Sequence, residues 1–282
     1  MRTEQEMYDL ILDFAQKDER VRVVTMNGSR ANPNAARDTF QDYDIVYVVT
    51  EMASYLADDA WLDNFGRRVI MQKPEGMELF PPDGKPRFSY LMLYEDGNRI
   101  DLSLMPLEEL GNYLKEDSIL KVLLDKDGRV PALPASSDSD YWIKRPTPGM
   151  FDDCCNEFWW LSPYVAKGLA RDELPYAIAH LDYMRKQLMT MLSWQVGLEK
   201  GFTFSIGKQF KYLQQHISDA AWQQLCATWN AGSPAACEEA LVGMLALFSE
   251  VSKDVAKRFG YNYPDYDAKV SDYLIGLGIN TH

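Results

Sequence analysis

The chain has 282 residues, 46% of them hydrophobic and 25% charged, which is the profile of a globular protein with room for one large domain or two ordinary ones. Asp and Glu number 42 against 29 Lys and Arg, for a formal net charge of -13. That balance argues against a nucleic-acid partner, which needs a basic surface, and suits a cationic small molecule.

No run of about 18 apolar residues is present, so no membrane span is expected. Residues 1–6 carry no apolar signal core, and a cytoplasmic location is the expectation. Cys154, Cys155, Cys226 and Cys237 fit no zinc spacing and are expected as free, partly buried thiols.

In chain order, residues 4–17 read as an amphipathic helix, with Met7, Leu10, Ile11 and Phe14 at helical spacing. Residues 21–26 read as a strand ended by Asn27-Gly28, residues 31–41 as a polar loop and residues 44–49 as a second strand. A helix over 52–66 and a Pro- and Gly-rich loop over 73–87 follow. The β-rich runs 88–95 and 98–105 flank Asp96-Gly97, the dipeptide of a two-residue hairpin turn. Residues 106–116 look helical, with Pro106 at the first turn.

Pro131, Pro134, Pro146 and Pro148 mark 131–149 as linker-like, and beyond it 3.6-residue periodicity dominates, over 151–170, 173–199, 208–228 and 235–258. The fold class expected is α+β. A domain over 1–135 carries a mixed β-sheet flanked by helices, 136–149 links, and 150–282 forms an all-helical domain.

Chemistry is concentrated in the first domain. Asp42 and Asp44 are two apart, so on or beside a strand both point to one face. Paired carboxylates on one face repel unless a cation sits between them, and magnesium takes such ligands while keeping positions for water and phosphates. In the run Arg99-Ile100-Asp101-Leu102-Ser103-Leu104, residues 100, 102 and 104 share an apolar face and Asp101 lies on the other with Ser103. Asp101 is a candidate third ligand; the alternative is an exposed strand acid. Gly28-Ser29-Arg30 stands where a strand ends: glycine permits close backbone approach to a phosphate, Ser29 adds a hydroxyl and Arg30 a guanidinium.

The combination of strand, Gly-Ser, a twelve-residue spacer, Asp-x-Asp, strand and a later strand Asp resembles the polymerase-β-type nucleotidyltransferases. More closely, the chain resembles the aminoglycoside 6-adenylyltransferases, which modify streptomycin. The resemblance runs through residues 22–25 into Asn27-Gly28-Ser29-Arg30, Phe40-Gln41-Asp42-Tyr43-Asp44, 71–75 with 77–81, 151–159, Tyr164-Val165 with 167–169, Gly207-Lys208 and Tyr263-Pro264-Asp265-Tyr266-Asp267.

That family transfers AMP from ATP to a hydroxyl of streptomycin and releases pyrophosphate. The resemblance implies two magnesium ions, with Asp42 and Asp44 as shared ligands and Asp101 as ligand of the first metal or base on the hydroxyl. It implies Ser29 and Arg30 on the triphosphate with Gly28, and Lys208 reaching its β- or γ-phosphate. A polycationic acceptor would dock on acids and aromatic rings, for which Asp153, Glu157, Trp160 and Tyr164 share one helix face. Glu78 and Asp182 are further acidic candidates. The family pattern carries an acid nearer position 179, where this chain has Ala179, and Asp182 stands one turn along. His180 and His216 are expected to be structural or solvent-facing. The competing expectations are the same chemistry on another hydroxylated small molecule or protein acceptor, and a catalytically inactive nucleotide-binding module.

Overall fold

The computed structural model describes residues 1–279, and its chain divides into two compact units, Met1–Asp140 and Tyr141 onward. The last three residues of the expected helical domain lie outside the described residues. Among the described residues no helix is long and apolar enough to cross a membrane.

The first unit is built on α1 (Glu4–Lys17), β1 (Val21–Met26), the four-residue α2 (Gly28–Ala31), β2 (Tyr43–Val49), α3 (Ala53–Ala57), β3 (Arg68–Gln72), β4 (Phe88–Tyr94), β5 (Arg99–Pro106), α4 (Leu110–Tyr113) and β6 (Lys121–Asp125). Helix α1 starts at a capping box, in which Thr3 accepts from the Glu6 amide while the Glu6 carboxylate accepts from the Thr3 amide. Its stripe Met7, Ile11 and Ala15 is fully buried, a burial that stabilises by about 1.5–3 kcal/mol for each of the two large side chains.

The strands form one six-stranded sheet in the order β3-β4-β5-β2-β1-β6. Neighbours pair antiparallel except β2 and β5, which run parallel at its centre. Strand alternation sorts the two faces. Tyr43, Ile45, Tyr47 and Val49 of β2, with Ile100, Leu102 and Leu104 of β5, pack beneath α1. Val46, Val48 and Met105 lie on the opposite face, covered by Leu110 and Tyr113 of α4. Asp44, Asp101 and Ser103 belong to that second face by the same alternation, beyond its apolar cover.

Several local elements depart from expectation. The segment 52–66 is not one helix: α3 stops at Asp58, whose carboxylate accepts from the Ala60 amide and starts a separate 3-10 turn over Asp59–Phe65. The hairpin turn is one residue longer than expected. Tyr94 and Asn98 are bonded, N to O at 2.9 Å, leaving residues 95–97 as the loop with Gly97 at φ 83°. Strands β3 and β6, at the two edges of the sheet, were not expected.

The second unit contains α5 (Pro148–Ala170), α6 (Leu174–Lys200), α7 (Asp219–Ala227), α8 (Pro234–Phe259) and α9 (Asp267–Gly276). A three-residue connection makes α5 and α6 a helical hairpin. Phe158 of α5 stacks on Phe248 of α8, ring centroids 3.6 Å apart, at the centre of a core that includes Leu181, Met184, Leu188 and Met244. The periodic segment 208–228 is helical only in its second half. Gln209 and Phe210 take positive φ within a 3-10 turn, and the regular helix begins late, at the Ser218 cap. Cys154, Cys155 and Cys237 are buried and Cys226 exposed, all as free thiols.

Candidate active site

Parallel pairing of β2 with β5 sets the site. The register places Tyr43 beside Ile100 and Asp44 beside Asp101, so the two aspartates are lateral neighbours on one face, with about 4.8 Å between strands. Asp42 precedes the strand by one residue and returns to the same face.

A residue that sequence reasoning left without a role lies among them. Arg99, two before Asp101 on β5, turns its guanidinium along the strand. Its Nε and Nη2 donate to the two carboxylate oxygens of Asp101 at 2.7 and 2.8 Å, and Nη1 is 3.6 Å from Asp42 Oδ2. The Asp101 hydrogen bonds, with the further charges of Asp42 and Asp44, raise the Arg99 pKa. Burial pushes the Asp42 carboxyl up; Arg99 draws it down and Asp101 pushes it up again. The only sequence signal for Arg99 was its i,i+2 spacing from Asp101, which an exposed strand pair shares.

The β1–α2 turn closes over Asp44. Gly28 has φ 66°, and a Cβ built on it falls 1.8 Å from Asp44 Oδ2, so only glycine fits there. The Asn27 amide donates to the Asp44 carbonyl at 2.9 Å. Its side chain is fixed at both ends, Nδ2 donating to the Ile119 carbonyl at 3.0 Å and Oδ1 accepting from the Tyr113 hydroxyl. That hydroxyl also meets buried Thr25, and burial raises the Tyr113 pKa to about 12. Ser29 is half-buried beside Gly28.

Arg30 is engaged by the protein's own groups. It is buried, donates to the Gln41 carbonyl at 2.9 and 3.2 Å, and stacks 3.9 Å over the Tyr43 ring, with Glu4 at 3.3 Å. Its guanidinium clamps the chain on either side of Asp42, and a triphosphate would have to compete with those contacts.

Farther along the same face, Ser103 and Ser89 hydroxyls meet at 2.9 Å, and Glu75 accepts from the Ser89 amide at 2.7 Å and its hydroxyl at 3.1 Å. Glu75 is thus the acid that the 73–87 segment brings to the sheet; Glu78 is exposed in the loop beyond it.

Hard oxygen donors suit magnesium. The lateral Asp44–Asp101 pair with Asp42 supplies three carboxylates, which are donors of the type that ion takes. Among the described residues no group of three His, Cys, Asp or Glu side chains is closed enough to hold a metal as it stands; here the Arg99 fork holds both oxygens of Asp101.

The remaining expected residues belong to the helical unit. Asp153, Glu157 and Trp160 are exposed along α5, Trp160 by 62%. Tyr164 follows on that face and stacks on His180 of α6, centroids 5.1 Å apart and planes within 10°. Trp160 meets Tyr164 at 6.4 Å, while Tyr176 and Tyr183 flank His180 at 4.2 and 6.0 Å. His180 Nδ1 lies 2.8 Å from the Tyr176 carbonyl, which fixes it as the donor nitrogen. His180 is thus the middle ring of an aromatic group, a packing role of the structural kind expected for it.

Asp182 pairs with Arg185, which is 4% exposed, donates to Thr228 Oγ1 at 2.8 Å and to the Thr228 carbonyl, and lies 4.9 Å from the Trp229 ring. That contact ties α6 to the end of α7. Lys208 is exposed on its 3-10 turn.

The chain matches the family described as streptomycin adenylyltransferase over residues 1–277. It is 49% identical over 276 residues to an aminoglycoside 6-adenylyltransferase of Campylobacter jejuni, covering 98% of this chain and 96% of that protein. It is 47% identical over 279 residues to that of Bacillus subtilis (strain 168), covering 98% of each. The protein of the same description from Staphylococcus aureus is 38% identical over 276 residues. A crystal structure of an aminoglycoside 6-adenyltransferase from Bacillus subtilis is 44% identical, with 99% of this chain and 100% of that chain covered and a TM-score of 0.49.

Proposed function

This chain belongs to the streptomycin adenylyltransferase family, a family of nucleotidyltransferases, and on that premise we propose that it transfers AMP from ATP to a hydroxyl of an aminoglycoside, streptomycin first among them. The observation that carries the reading is the register pairing of Asp44 with Asp101, closed by Gly28 on one side and extended by Asp42 on the other.

In the proposed reaction the acceptor hydroxyl oxygen attacks the α-phosphorus in line. The bond to the bridging oxygen of the β-phosphate breaks, pyrophosphate leaves, and the hydroxyl proton passes to a base. Asp42, Asp44 and Asp101 would hold two magnesium ions, which would supply charge neutralisation at the transferring phosphoryl group and the leaving pyrophosphate. The protein's own part is placement. Arg30 holds residues 41–43, Tyr113 and Asn27 hold the turn before Gly28, and the half-buried Ser29 hydroxyl is offered to the triphosphate. A polycationic acceptor is met by the exposed acids Asp153 and Glu157 and the rings of Trp160 and Tyr164 on α5, where a guanidinium gains both charge pairing and stacking. In this reading Asp182 holds Arg185 and does not meet the acceptor.

Incubation with ATP, magnesium and a panel of aminoglycosides, read as pyrophosphate release, tests the proposal. Turnover with streptomycin is expected. Silence with streptomycin and turnover with another acceptor would reassign the acceptor, and silence with every acceptor despite ATP binding in a calorimeter would leave a nucleotide-binding module.

A further inference from the structure

We infer that Arg99 is a resident counter-cation of the carboxylate cluster, displaced when a divalent ion binds, and that it thereby sets the metal affinity of the site. The inference rests on the proposed metal role of Asp42, Asp44 and Asp101.

Three carboxylates on one sheet face repel one another, and the fold places a positive charge of its own beside them. Arg99 is well suited to that task. The i,i+2 spacing on β5 puts it on the same face as Asp101, and its fork takes both Asp101 oxygens while the third nitrogen reaches Asp42. Its guanidinium bonds Asp101 and lies beside Asp42, and the charge of Asp44 acts on it too. Its side chain is 41% exposed, so it can swing into solvent without unpacking a core.

The same geometry makes Arg99 and a metal competitors. A carboxylate that ligates magnesium does so at about 2.0–2.1 Å. An Asp101 gripped at 2.7 and 2.8 Å by a guanidinium presents its best lone pairs to Arg99, and a divalent ion arriving there meets the positive charge at close range. Metal binding and the Arg99–Asp101 pair are therefore linked: each opposes the other by the same factor. Arg30, the other guanidinium near Asp42, does not share this role, since it is buried and committed to the Gln41 carbonyl and the Tyr43 ring.

The test uses Mn2+ alone, titrated calorimetrically into the intact nucleotide-free protein, together with melting temperatures without metal and at saturating Mn2+. Relative to wild type, Arg99→Gln is expected to bind Mn2+ about tenfold more tightly, the size of change that groups beside metal ligands commonly produce. It is also expected to melt lower without metal and level with wild type at saturation, and Arg99→Lys is expected to fall between the two. A merely structural arginine would lower the melting temperature equally in both states. Unchanged or weaker Mn2+ binding by Arg99→Gln, or a melting deficit that persists at saturation, overturns the inference while wild-type binding that is lost in Asp44→Asn leaves the metal site standing. If wild type and Arg99→Gln both fail to bind Mn2+, the metal-site reading falls and takes the inference with it.

Discussion

Gly28 and Asp44 are in contact so close that a single methyl group separates a working turn from a blocked one: a Cβ on Gly28 would lie 1.8 Å from Asp44 Oδ2. The two residues are sixteen apart in sequence and meet because β1 and β2 pair antiparallel, Met26 opposite Ile45, with the Asn27 amide bonded to the Asp44 carbonyl at the strand end. Backbone approach and carboxylate position are thus one feature.

Gly28→Ala is therefore expected to fail twice. The positive φ of 66° and the clash together should cost about 1–3 kcal/mol in urea denaturation and displace Asp44 enough to lower kcat by about a hundredfold. Gly84 has φ 76° but open space around it. Gly84→Ala should show the backbone strain alone, with kcat near wild type, and equal kcat losses in the two variants would contradict the packing account.

The acceptor side is expected to separate from the nucleotide side in kinetics. Trp160→Ala and Tyr164→Ala should raise KM for the aminoglycoside roughly three- to thirtyfold, the worth of a cation–aromatic contact, and leave KM for ATP unchanged. Equal effects on both KM values would mean that the aromatic group supports the fold and does not meet the acceptor.

Asp182 and Arg185 offer the opposite case. Removing the buried guanidinium by Arg185→Ala takes the donor away from the buried Thr228 carbonyl and hydroxyl, and should destabilise the protein by about 1–3 kcal/mol. Asp182→Asn should leave kcat and both KM values within about threefold, since the Asp182 side chain is 60% exposed and its ion pair is worth little. A large rise in aminoglycoside KM for Asp182→Asn would return this residue to the acceptor site.

The hairpin turn carries a pH signature. Arg2 donates to both Asp96 oxygens, and that pairing, reinforced by Asn98, holds the Asp96 carboxyl well below its ordinary value of 3.8. A depressed carboxyl stabilises the fold above its unfolded pKa, and the contribution is lost as pH falls through the folded value. Asp96→Asn should be less stable than wild type by a constant margin between pH 7 and pH 5, in the plateau above 3.8, and the margin should shrink in more acid solution. A margin that widens on acidification would contradict the pairing.

Much of this site was legible because strands encode faces by alternation. Asp42, Asp44 and Asp101 stand out of apolar runs at period two, and Asp96-Gly97 announces the hairpin that delivers Asp101. Charge partnership was not legible. Arg30 reads as a phosphate ligand from its place after Gly28-Ser29, and its contacts with the Gln41 carbonyl and the Tyr43 ring carry no signal in the sequence; Arg99, given no role there, is the partner of Asp101.

Edge strands escaped for a related reason. In β3, Val69 and Ile70 are both exposed, so no inward-outward pattern marks it, and β6 is half-buried throughout most of its length. The segment 208–228 has helical periodicity, yet Gln209 and Phe210 take positive φ, a local conformation that apolar spacing does not report.

The central claim is that Asp44, beside Asp101 on paired parallel strands, belongs to the chemistry and not to the scaffold. Pyrophosphate release by Asp44→Asn with ATP, magnesium and streptomycin tests it most directly, with the melting temperature measured on the same sample to show that the variant is folded. A fall of about 10²–10³-fold or more in kcat with the fold intact is predicted. Turnover within a few-fold of wild type would contradict the assignment.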